Sequence, residues 1–112
     1  MNDYSGYGEI TLGGKTLALK FGTNAYKLLC QNRNVELHEL GQVFNDPFAL
    51  VELAYFAHIT AERMEGRQAA VTMEWFTEMV GDTTGVLDQF SQLVMTSKMW
   101  GVPLSEVDAK KK

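Results

Sequence analysis

The stretch Glu9-Ile10-Thr11-Leu12-Gly13-Gly14-Lys15-Thr16-Leu17-Ala18-Leu19-Lys20-Phe21 decides the fold. Ile10 and Leu12 alternate with polar residues before the glycine pair, and Leu17, Leu19 and Phe21 alternate after it. Two runs of period two joined by Gly-Gly predict a β-hairpin, because glycine tolerates the positive φ that a primed turn needs. A lone hairpin is marginal in water. Its apolar face must therefore lie on the helices that follow or pair with another chain.

Downstream the period changes to that of helices. Thr23 is the predicted N-cap of a helix over about Asn24–Asn32, with Ala25, Leu28 and Leu29 on its inner side. A shorter helix is expected over about Glu36–Phe44, carrying Leu37, Leu40 and Phe44 on one side, with Gly41 costing it roughly 1 kcal/mol of propensity. Asn45-Asp46-Pro47 is the clearest helix start, since Asp46 can cap and Pro47 fits the first turn. The helix it opens, Phe48 towards Glu65, is apolar on nearly all sides until Thr60, as expected of a helix surrounded by others. Thr72 caps a predicted helix through about Val80, with Met73, Phe76 and Val80 in one stripe. A last helix is predicted over about Gly85–Trp100, with Leu87, Phe90 and Val94 in line and Gly101-Val102-Pro103 as its stop. The fold class read from this order is α+β, mainly α: an N-terminal hairpin followed by a bundle of four to five helices. Residues 1–7 are expected to be a flexible N-terminus, 8–103 a single domain and 104–112 a polar tail.

The chain has 112 residues, of which 46% are hydrophobic and 21% charged, enough for one core and too few for two. The formal net charge of −4 argues against nucleic acid as a partner, because phosphate binding needs clustered Lys and Arg. Between Arg67 and Lys98 there is no basic residue, while Glu74, Glu78, Asp82 and Asp88 all fall there. That stretch is either a solvated helix face or a surface for a basic partner. Cys30 is the only cysteine, which fits a reducing compartment and a buried structural role. No signal peptide is apparent in MNDYSGYGEI, and the longest apolar stretch, Phe48–Ile59, is too short to span a bilayer. No membrane association is expected.

A search for chemistry finds no catalytic arrangement. His38 and His58 have no His or Cys at metal-ligand spacing, and His58 lies one turn before Glu62 as a helical pair or orienting contact. Gly13-Gly14 sits inside a hairpin rather than opening a helix, so it does not read as a phosphate loop. Pairs such as Glu36/Glu39 and Glu74/Glu78 read as solvent-facing rather than as acid/base dyads. No enzyme activity, cofactor or metal is expected. The candidate partner-binding residues are Trp75, Met79, Met95, Met99 and Trp100, with Glu74 and Glu78 beside them. They flank the inner stripes of the last two helices, and a small domain has difficulty burying both sides of both helices.

The order of these features resembles the tail assembly chaperones of long-tailed phages and related gene transfer agents. The carrying residues are Ile10–Phe21, of the form ITLGGK-x-x-x-L-x-F, the helix with Ala25, Leu28 and Leu29, and the segment Asn34-Val35-Glu36-Leu37-His38-Glu39-Leu40-Gly41. They cover about a third of the chain, and the later helices match in order and character only. The resemblance implies a non-enzymatic chaperone in the host bacterial cytoplasm, binding the tape measure protein, the tail tube protein or both, and absent from the mature virion. Self-association through the hairpin or the helices is a further expectation. Many members also occur in a longer, frameshifted form, and Ala109-Lys110-Lys111-Lys112 is compatible either with such a site or with a solubilising basic tail. The alternatives are a small virion subunit of the tail-completion or connector type, and a bacterial adaptor module.

Overall fold

The structure is a computed structural model, and it describes residues 6–40, 46–99 and 102–103. Strands β1 (Tyr7–Leu12) and β2 (Lys15–Lys20) form the antiparallel hairpin, with Ile10 opposite Leu17 and Leu12 opposite Lys15. Gly13 and Gly14 take φ of +53° and +80°, the pair of left-handed residues that a type I′ turn requires. Ile10, Leu12, Leu17 and Leu19 are buried, as the alternation predicts. Helices α1 (Thr23–Arg33), α2 (Pro47–Met64), α3 (Met73–Gly81) and α4 (Val86–Thr96) follow, with a 3-10 turn at Leu37–Glu39 between the first two. Among the described residues the domain is thus a hairpin followed by four α-helices, α+β and mainly α.

α2 is the central element, packing against α1, β2, α3 and α4. Its start is fixed as expected: the Asp46 carboxylate accepts from the Phe48 N–H at 2.9 Å, and Pro47 occupies the first turn. Arg33 near the end of α1 reinforces that start. Its guanidinium donates to both carboxylate oxygens of Glu52 at 2.9 and 3.1 Å and to Asp46 at 3.3 Å, which ties α1 to the first turns of α2. The Thr72 hydroxyl accepts from the Trp75 N–H at 3.1 Å and caps α3. An aromatic chain crosses the core: Phe21 to Phe90 (centroids 6.2 Å apart), Phe90 stacked on Phe76 (6.0 Å), and Phe76 edge-on to Tyr55 (5.5 Å).

Several expectations need correction. Thr23 is the first residue of α1 rather than its cap; Gly22 holds that position without a side-chain bond. In the described part of the predicted Glu36–Phe44 helix, Leu37–Glu39 form a 3-10 turn and Leu40 is helical; Leu37 is exposed and Leu40 buried, so these two leucines do not share one inner face. Phe44 lies outside the described residues. The stripe on α4 is Val86, Phe90 and Val94, leaving Leu87 on the outside. The last helix also ends at Thr96, four residues before the predicted Trp100. Ser97 turns extended, is buried, donates to Val94 O at 2.6 Å and is hydrogen-bonded to the Tyr26 hydroxyl. Lys98–Met99 (β3) then pairs antiparallel with Val102–Pro103 (β4), so two residues of the predicted helix stop are extended and paired. The tail at 104–112 lies outside the described residues.

Candidate functional site

The residues that the sequence reading gathered as one surface separate in the structure. Trp75 and Met79 are half-buried and lean over the hairpin turn. A Cβ placed on Gly13 would sit 2.9 Å from Met79 Sδ and 3.0 Å from Trp75 Cζ2. Their role here is to close α3 onto β1, and Gly13 is required both for the turn and for that approach. Glu74 and Glu78 are exposed on α3. Met95 stands 57% exposed on α4. Met99 belongs to β3, and Trp100 lies outside the described residues.

His58 is resolved into a structural role. It is 1% exposed, its Nδ1 lies 2.9 Å from Ala18 O, and its Nε2 accepts the Ala70 N–H at 3.0 Å. A carbonyl on one side and an amide N–H on the other assign the proton to Nδ1. The ring therefore bridges β2, α2 and the loop before α3. Glu62 is bonded to Arg67 instead, at 2.8 Å, and that hydrogen bond is the main reason its carboxyl lies below the usual range. Burial pushes the Cys30 thiol up, and the negative charges of Glu36 and Glu39 push it further, which disfavours the reactive thiolate. Cys30 is only partly buried, packed against the core rather than inside it.

Among the described residues no group of three or more His, Cys, Asp or Glu side chains could hold a metal ion, and no helix is long and apolar enough to cross a membrane. One concavity among the described residues is mainly apolar. A groove of about 360 Å³ runs between the first turn of α2 (Pro47, Phe48, Val51), the end of α3 (Thr77, Val80, Gly81) and the turn into α4 (Thr83, Gly85, Leu87, Asp88). Phe48 is 67% exposed on its rim and Leu87 is 40% exposed, although both are large and apolar. Local bonding holds this shape. The Thr83 hydroxyl donates to Met79 O at 2.7 Å to finish α3, and Gly85 takes φ +84° to admit α4.

The sequence reading did not find this groove. Phe48 reads as a core residue of an all-round apolar helix, yet it follows directly on the Asp46-Pro47 cap, in the first turn of α2, and is left exposed. Leu87-Phe90-Val94 and Val86-Phe90-Val94 both satisfy helical spacing, so spacing alone does not separate Leu87 from the inner stripe. Comparison of the chain with protein-family models, with curated proteins and with solved structures gives no match.

Proposed function

We propose that this chain is a non-enzymatic, partner-binding domain, and specifically a tail assembly chaperone of a long-tailed phage acting in the bacterial cytoplasm. The observation that carries the first part is the pairing of exposed large apolar side chains, Phe48 and Leu87, with an apolar groove rather than with a polar pocket. The second part is carried by the resemblance of Ile10–Phe21 and of the helix after it to that family. A long helical tape measure protein needs its apolar surface covered before assembly, and a groove with exposed aromatic and leucine side chains suits that task. The tail tube protein is the other client the family implies.

Co-expression of the tape measure protein of the same genome, with and without this chain, tests the proposal. The client should be soluble and co-purify with the chain when both are made, and the chain should be missing from purified particles. An insoluble client in both cases removes the chaperone reading. A chain found in stoichiometric amount in the particle replaces it with that of a virion subunit.

A further inference from the structure

We propose that the groove between α2, α3 and α4 takes a basic amphipathic helix of a partner protein, apolar side chains inward and Lys or Arg on its flanks. This rests on reading the chain as a partner-binding domain, and it specifies where the partner sits and what chemistry it carries. The groove floor and rim supply the apolar half: Phe48, Val51, Val80 and Leu87 line it. A cleft between helix ends with several large apolar side chains is the kind of site that accepts one face of a helix.

The charge around it supplies the other half. Among the described residues the only charged one lining the groove is Asp88. Glu78 adjoins the lining residue Thr77, and Asp82 lies between Gly81 and Thr83, both of which line the groove. Among the described residues no Lys or Arg lines it, and none adjoins a lining residue in sequence. The two further acids at its α2 end, Asp46 and Glu52, are taken up by Arg33. Glu78, Asp82 and Asp88 form no ion pair among the described residues. An apolar cleft whose rim carries one sign of charge selects a partner of the opposite sign, through faster encounter and rejection of like charge. An acidic or uncharged helix would fill the floor and leave these carboxylates unanswered.

The test uses the full chain and two designed peptides, each about four helical turns long. One is built of leucine and lysine at helical spacing, and the other has glutamate in place of lysine. In an NMR titration the lysine peptide should shift resonances at residues 47–51 and 80–88, and the glutamate peptide should not bind. Phe48→Ser, at an exposed position, should weaken the lysine peptide at least tenfold with an unchanged melting curve. The double variant Asp82→Lys, Asp88→Lys should weaken the lysine peptide by a similar factor and admit the glutamate peptide. Equal binding of both peptides, shifts confined to another face, or indifference to Phe48→Ser would overturn the proposal. Concentration-dependent broadening of the groove residues without peptide, abolished by Phe48→Ser, would give the groove to a second copy of the chain instead. If the lysine peptide binds in the groove while no tail protein co-purifies, the inference stands and the tail chaperone reading fails. If the Phe48→Ser variant still retains a tail client at full strength, the reverse holds.

Discussion

The hairpin side of α2 and its N-terminal end are made of similar residues and finished differently. Where α2 meets the hairpin, apolar side chains from β1 and β2 are fully covered, and the one buried imidazole has both ring nitrogens bonded, to Ala18 O and to the Ala70 N–H. Where α2 begins, Phe48 and Leu87 are left in solvent around an open groove whose lining includes Asp88. No large apolar side chain of β1 or β2 is exposed in the first region. The second leaves apolar surface exposed, and unfilled apolar surface is what a binding protein keeps. The lesson is that the overall count of apolar residues said little about binding, whereas their distribution between these two ends of one helix says much.

The largest break in this comparison should come from the shared core. Phe90 touches both the hairpin side, through Phe21, and the α3 side, through Phe76. Phe90→Ala should cost about 3–5 kcal/mol, enough to unfold a domain of ordinary stability, as read by thermal or urea denaturation. A loss under about 1 kcal/mol would mean that the two sides are held independently.

Next in size is an alkaline transition. Burial pushes the Tyr26 hydroxyl up to about 12, against the opposing hydrogen bond of Ser97. Tyr26 is therefore harder to ionise folded than unfolded, where it titrates near 10. The stability it confers is complete below about pH 10 and is lost as pH rises towards about 12, by at most about 3 kcal/mol. Tyr26→Phe should flatten that loss in denaturation curves measured across the range; an unchanged slope would place the alkaline sensitivity elsewhere.

His58→Leu follows, at about 1–3 kcal/mol, because it leaves the Ala18 carbonyl and the Ala70 N–H without their partner. The Ala70 amide should also lose its hydrogen-exchange protection. Retained protection would show that the loop before α3 is anchored without the imidazole. The smallest effect belongs to the open end: Phe48→Ser should change stability by no more than about 0.5 kcal/mol, as for an exposed position outside the core. A cost above about 2 kcal/mol would mean that Phe48 closes the groove rather than lining its mouth.

Local signals carried most of the fold. The Gly13-Gly14 turn, the Asp46-Pro47 cap and the Thr72 cap are each written within a few residues, and each stands where sequence reading put it. What could not be read depends on distant partners. The end of α4 is set by Ser97 against Tyr26, 71 positions away, and His58 finds its acceptor 40 positions back in β2. The groove was hidden for a related reason. Val86 and Leu87 are neighbours with equal claims on the inner stripe, and only packing against β1 and α2 sends one inward and leaves the other outside. Trp75 and Met79 were singled out as surplus surface because nothing local shows that the hairpin turn lies beneath them.

The most direct measurement is hydrogen exchange on the chain alone and in complex with its co-expressed tape measure protein. Binding of the client in the groove should add protection at residues 47–51 and 80–88 and none over the hairpin at 7–20. Protection concentrated on the hairpin, or a chain unchanged by the client, would contradict it.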